Sequence, residues 1–197
     1  MTGPDVSRET EHKLAQFQQL VADASETQNL VSSASLSQFR TRHIADALQL
    51  VSLGTAGSTW CDIGSGAGLP GMVVAIVTDA PTTLIEPRRL RAEFLRHAAA
   101  ELELRHVVVC EAKAERVEGK FDVITARAVA ELGKLFEMSE HLAHSRTCWI
   151  LPKGRSAKKE LEAARQSWQG DFRLIPSQTS EDAMIVVAER VKRRGKA

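Results

Sequence analysis

Apolar residues in the first quarter of the chain recur at three- and four-residue spacing. From about Ser7 to Ala24 the positions Leu14, Phe17, Leu20 and Val21 fall on one side of a helix. A second run predicts a helix over Leu36–Leu53, with Phe39, Ile44, Ala47, Leu48 and Val51 inward, Ser35 at the N-cap and Gly54 as the stop. After Thr59 the pattern changes to short β-branched runs alternating with helical ones. Thr59–Ile63, Thr82–Ile85, His106–Cys110, Phe121–Thr125 and Thr147–Leu151 read as strands, each followed by a helix-compatible segment. That alternation predicts parallel strands joined by crossover helices, in a sheet buried on both faces.

The helix after the second strand has the plainest stripe, Leu90, Phe94, Leu95, Ala98 and Leu102. Near the end of the chain, Phe172–Ile175 and Met184–Val187 are separated by a polar loop too short for a crossover helix, so they should pair antiparallel. The predicted fold class is therefore a doubly wound, Rossmann-like α/β domain. It has a mostly parallel sheet of about seven strands, a C-terminal antiparallel hairpin and an N-terminal helical extension. Residues 1–55 form that extension, 56–191 the main domain and 192–197 a basic tail.

Composition narrows the class. The chain has 197 residues, 43% of them hydrophobic and 26% charged, with a formal net charge of +1. These values are ordinary for one globular domain. The longest apolar stretch, Met72 to Val77, is far too short to cross a bilayer, and no signal pattern opens the chain, which predicts a cytoplasmic protein with no membrane partner. Cys61, Cys110 and Cys148 lie in apolar runs and show neither disulfide nor zinc spacing, so no metal is expected. Net charge offers little general attraction to nucleic acid. Local basic groups would have to supply it: Arg88, Arg89, Arg91 and Arg96 on the predicted helix, and Lys192, Arg193, Arg194 and Lys196 in the tail.

Candidate chemistry concentrates at Asp62-Ile63-Gly64-Ser65-Gly66-Ala67-Gly68-Leu69-Pro70-Gly71, which follows a strand and opens a helix. Gly64, Gly66 and Gly68 allow a tight turn and close approach to a ligand at the strand's carboxyl end. Asp62 can accept hydrogen bonds from loop amides or from a ligand's ammonium group. Glu86, closing the next strand, stands where a carboxylate receives both hydroxyls of a ribose. The segment from Gly66 to Gly71 also fits the dinucleotide fingerprint. However, that register would place Gly64 inside its strand, and the chain leaves no evident second half for hydride transfer. S-adenosylmethionine is the favoured cofactor.

The acceptor is narrowed by what is missing. Enzymes that methylate exocyclic amines usually carry an Asp/Asn-Pro-Pro-aromatic turn after the fourth strand, where this chain has Phe121-Asp122-Val123-Ile124-Thr125-Ala126-Arg127-Ala128. A cysteine nucleophile for cytosine C5 is disfavoured, because all three thiols sit in predicted strands. Guanine N7 fits what remains, since its lone pair needs no general base and proximity can supply most of the rate. Arg127 and Lys153, each just past a predicted parallel strand, are the catalytic candidates in a positioning sense: cations that could hold a guanine edge or a phosphate.

Taken together, these residues resemble the bacterial small-subunit rRNA guanine-N7 methyltransferases, the glucose-inhibited division protein B or RsmG family. The resemblance spans Asn29 to about Val187. It rests on Asn29-Leu30-Val31, Arg42-His43-Ile44-Ala45-Asp46-Ala47-Leu48, the glycine loop, Ala114-Glu115, Thr125-Ala126-Arg127-Ala128 and Lys153-Gly154. The resemblance implies a class I S-adenosylmethionine-dependent fold and methylation of the guanine conventionally numbered 527 in the 530 loop of 16S rRNA, on the small subunit or its precursor. Loss of such enzymes is associated with low-level streptomycin resistance.

By match to the family's motifs, Gly64 and Leu69 should contact the cofactor, Glu86 its ribose, and Ala114 and Glu115 its adenine side. Arg127 should line the site near the methyl donor, with His43, Asp46 and Lys153 on the substrate side. Two positions depart from the family: Ala47 stands where Ser is frequent, and Asp182-Ala183 where an Arg-His pair often enters the last strand. Other readings are a class I methyltransferase for a small molecule or protein, and a non-catalytic cofactor-binding assembly module. A monomer is expected, because no apolar stripe is left over once the predicted core is filled.

Overall fold

The computed structural model describes residues 7–195; Lys196 of the expected basic tail lies outside the described residues. Helix α1, Arg8–Gln28, starts where the Ser7 hydroxyl accepts the Thr10 amide at 3.1 Å, and Glu9 and Glu11 sit against its positive end. It stops at Asn29, which takes the left-handed conformation at φ 49°. Leu14, Phe17 and Val21 are buried as their spacing predicts.

The second predicted helix is corrected: it forms in three pieces. Helix α2, Ser33–Ser37, is capped by Ser32 rather than Ser35, and the chain breaks at Gln38. Phe39–Ile44 winds as a π-helix before α3 continues over Ala45–Val51. Phe39 and Ile44 are both buried, and five-residue spacing lies on one face only when the coil is widened. Gly54 stands three residues beyond the helix end and lies against the Trp60 ring, so close approach, not capping, is its role.

A seven-stranded sheet follows: β1 Trp60–Ile63, β2 Thr82–Ile85, β3 Val107–Cys110, β4 Phe121–Ala126, β5 Ala143–Lys153, β6 Trp168–Pro176 and β7 Met184–Arg193. Its order is β3-β2-β1-β4-β5-β7-β6. The first five strands are parallel, and β7 lies antiparallel between β5 and β6. The connecting helices are α4 Gly71–Thr78, α5 Arg89–Glu101, α6 Leu132–Ser139 and α7 Ala157–Ala164. Between β3 and β4 there is only a single turn, Ala114–Arg116, instead of a crossover helix.

Strand alternation splits the core into two layers. Trp60, Leu84 and Val123 face α1, α3, α4 and α5, while Cys61, Ile63, Ile124 and Trp149 face α6 and α7. On α5, Phe94, Leu95, Ala98 and Leu102 are buried, but Leu90 is 60% exposed. It belongs to the first turn, which starts beyond the carboxyl end of β2 and outside the sheet's reach.

Two arginines of the basic cluster on α5 pair with acids, Arg89 with Glu93 and Arg96 with Glu111. Strand β7 runs into the predicted tail. Arg193 stacks over Trp168 and pairs with Glu137 and Glu140. Among the described residues no helix is long and apolar enough to cross a membrane.

Candidate active site

The order of the sheet reverses between β1 and β4, so a crevice opens at their carboxyl ends. Gly64, Gly66 and Gly68 all take positive φ there, at 68°, 56° and 87°. At Gly64 the need is steric as well, because a Cβ would stand 2.6 Å from Val129 Cγ2. A cleft of about 300 Å³ lies over this glycine, lined by Gly64, Pro87, Ala114, Glu115, Val129 and Ala130. Gly64 and the pair Ala114-Glu115, predicted from two separate segments, thus meet in one hollow of the size that ligand sites have.

Glu86 closes β2 beside this cleft and is buried. One of its oxygens accepts the Gly66 amide and the other the Arg88 amide, both at 2.9 Å. A carboxylate has roughly four lone-pair directions, so two remain for hydroxyl donors. Gly66 therefore serves the cleft by orienting Glu86. Gly68 and Leu69 lie elsewhere: a Cβ on Gly68 would meet Phe17 and Met72, and Leu69 is packed in the core beneath α1.

Asp62 is fully buried. Its Oδ2 accepts the Gly71 amide at 3.0 Å, whereas Oδ1 has no partner. The Thr125 hydroxyl, on the residue paired with Asp62 across β1 and β4, is also unpartnered. Burial raises the Asp62 carboxyl to about 7, against the smaller opposing effect of the Gly71 hydrogen bond. Two orphaned polar atoms in the strands beneath the glycine loop are what a polar ligand group would satisfy. Together with the Gly64 hollow and the spare valences of Glu86, they fit a nucleoside cofactor bearing an ammonium group.

A larger cavity of about 510 Å³ adjoins the first and shares Val129 and Ala130 as its wall. Four residues predicted on the substrate side or near the methyl group, His43, Asp46, Arg127 and Lys153, all line it. Arg127 follows β4 and donates from Nη1 to His43 Nδ1 at 3.0 Å. Burial, then the charge of Arg127, lowers the pKa of His43. Burial also lowers that of Arg127, while Asp46 and Asp62 favour its charge. Asp46 accepts a hydrogen bond from the Thr179 hydroxyl, and Gln49 accepts the Gln178 amide at 2.7 Å, so the β6–β7 loop is fastened to α3.

Lys153, at the end of β5, is held more firmly than its sequence position implies. Its Nζ donates to the Ala130 carbonyl at 2.6 Å and pairs with Glu160 at 2.9 Å. Glu160 also accepts the Leu132 amide, so this pair clamps the wall between the cavities to α7. Sequence reasoning missed Glu160, Thr179, Thr125 and Val129. Thr125 lies in the Thr125–Ala128 motif, which by itself assigns it no role, the other three carry no motif signal, and the fold brings all four to the crevice. At the departing position, Asp182 pairs with Arg155 at 3.1 Å, both exposed.

Burial raises the thiol pKa of Cys61 well above normal and that of Cys148 to about 11, so neither is poised as a thiolate.

The chain is similar to ribosomal RNA small subunit methyltransferase G of Rhizorhabdus wittichii, 44% identical over 196 residues, covering 97% of this chain and 90% of that protein. The Gluconobacter oxydans protein of the same name is 38% identical over 192 residues, covering 95% and 97%.

Among solved structures, a ribosomal protein L11 methylase from Lactobacillus delbrueckii subsp. bulgaricus superposes with a TM-score of 0.58 at 18% identity, over 76% of this chain and 77% of that one. M. jannaschii TYW2 in complex with AdoMet gives 0.58 at 14% identity, over 77% and 76%. At those identities the likeness concerns the fold, that of class I S-adenosylmethionine-dependent methyltransferases. The profile of one family, GidB, rRNA small subunit methyltransferase G, matches residues 10–181, and with relatives at these identities over nearly its whole length the chain belongs to that family.

Proposed function

We propose that the chain transfers the methyl group of S-adenosylmethionine to N7 of a guanine in small-subunit rRNA, the base conventionally numbered 527 in the 530 loop of 16S rRNA. It would act as a monomer in the cytoplasm, on the small subunit or its precursor. One observation carries the reading: two cavities meet at the Val129–Ala130 wall, one over Gly64 and lined by Ala114 and Glu115, the other lined by Arg127, His43, Asp46 and Lys153. Gly64 and Glu86 hold the nucleoside, with Ala114 and Glu115 against its base. Asp62 answers the ammonium group.

The cofactor supplies an electrophilic methyl group on a sulfonium. The protein's own part is orientation. Guanine N7 offers an in-plane lone pair and loses no proton on methylation, so no general base is required and a near-attack geometry provides the acceleration. Arg127 can donate to guanine O6 while leaving N7 free, and Lys153 fixes the wall against which the base would rest. The carboxylates of Asp46 and Asp62 near Arg127 would offset the positive charge that a sulfonium brings to the site and that a methylated purine would carry.

Mass mapping of 16S rRNA from a deletion strain and its parent tests the function. Loss of one 7-methylguanine from the 530 loop is the expected result; its retention would reject the proposal.

A further inference from the structure

The contact between Arg127 and His43 has a consequence for the chemistry of the site. A guanidinium only donates, so His43 Nδ1, 3.0 Å from Arg127 Nη1, must be the acceptor. The imidazole is then neutral and carries its proton on Nε2. Two features hold the ring in place. Phe39 lies edge-on to it, with centroids 6.0 Å apart and planes at 81°, and the π-wound turn Phe39–Ile44 carries His43 to the cavity wall. The charged groups around it come from several elements: Arg42 in its own turn, Asp46 on α3, Arg127 after β4, Lys153 on β5, Glu160 on α7 and Glu131 before α6.

We propose that His43 is a positioning residue for methyl transfer: its Nδ1 lone pair locks the Arg127 guanidinium in the orientation that presents its remaining N–H groups to the substrate. This rests on the functional reading given above. Protonating the ring removes the acceptor and sets two cations face to face, so Arg127 is released. Burial and the Arg127 charge both disfavour the imidazolium. Release therefore occurs only on acidification below the ordinary histidine range, and the site is intact at neutral pH.

Two measurements on the full chain test this. Nitrogen-15 NMR of the imidazole should show the Nε2–H tautomer, and Arg127→Met should raise the titration midpoint of His43, because it removes a cation that lowers it. In steady-state methylation of small subunits, His43→Ala should lower kcat on the order of tenfold, with cofactor Kd within about twofold. His43→Asn, whose amide oxygen can replace Nδ1 as acceptor, should recover most of the rate and lose the acid limb of the kcat profile measured at saturating cofactor, where Asp62 is held ionised.

An Nδ1–H tautomer, an unmoved midpoint in Arg127→Met, a fully active His43→Ala, or an acid limb that persists in His43→Asn would overturn the assignment. A wild-type protein inactive on small subunits would sink the functional reading itself and this role with it. An active wild type with any of the preceding results sinks His43 alone.

Discussion

Asp62→Asn should make the protein more stable and a poorer binder of its cofactor. The folded carboxyl titrates at about 7 because burial disfavours its charge, against 3.8 for the free group. A proton held more tightly in the folded state stabilises the fold below the free-group value, and that contribution is lost as pH rises towards 7. About three decades of proton affinity at ~1.4 kcal/mol each amount to about 4 kcal/mol against the ionised form at pH 8, and to about 2 kcal/mol at pH 5.

An amide removes the ionisation and keeps an oxygen for the Gly71 amide. Its added N–H groups can donate to the Thr125 hydroxyl, which has no partner. For a chain of this length the gain corresponds to roughly 10 °C in Tm at pH 8 and roughly 5 °C at pH 5. Calorimetric scans at the two pH values read the stability, and titration with S-adenosylmethionine reads the lost carboxylate–ammonium contact. A variant no more stable than its parent at pH 8, or one that binds cofactor equally well, would refute the argument that this carboxylate is kept for the ligand at the expense of the fold.

In the parent protein, cofactor binding at pH 7 should release about half a proton from Asp62, seen as a dependence of binding heat on buffer ionisation enthalpy; no dependence would separate Asp62 from the ligand. Glu86→Ala should weaken S-adenosylmethionine binding by about tenfold or more, while Lys153→Ala leaves it within about threefold and lowers Tm by removing the cation paired with Glu160, which keeps the Leu132 amide and the Ser156 hydroxyl, at a cost of about 2 kcal/mol. Calorimetry showing the opposite order for binding would contradict the division of the site into two cavities. Gly64→Ala, strained at φ 68° and blocked by Val129, should lose cofactor affinity before it loses the fold, measured by paired titration and melting curves. In a Cys110→Ser variant, alkylating reagent at neutral pH should leave methylation unchanged, because the Cys61 and Cys148 thiols stay protonated; inactivation that cofactor prevents would revive a thiol mechanism.

The parts of this molecule that the sequence makes legible are those encoded by neighbouring residues. A run such as Thr82–Ile85 between turn residues has one buried solution, and a glycine loop between strand and helix places a ligand at a sheet edge without knowledge of the rest. Periodicity fails where two windings share it. The apolar positions from Phe39 to Val51 read as one ordinary helix, yet Phe39 and Ile44 stand five residues apart and both are buried, Phe39 edge-on to Phe17 of α1, which the wider turn allows on one face. It also fails at the ends of elements: Leu90 keeps the spacing of its stripe and still faces solvent.

The candidate site divides in the same way. Gly64 and Glu86 could be assigned from local context, and Ala114 and Glu115 through the family resemblance, but nothing in the spacing of His43 and Arg127 reveals that one accepts a hydrogen bond from the other. Lys153 is the sharpest case. As a residue past a parallel strand it reads as a cation offered to substrate, yet the Ala130 carbonyl and Glu160 take two of its three N–H donors. A charge at a catalytic edge can thus serve the reaction by fixing the wall of the site, and the partner that decides between the two roles is supplied by the fold.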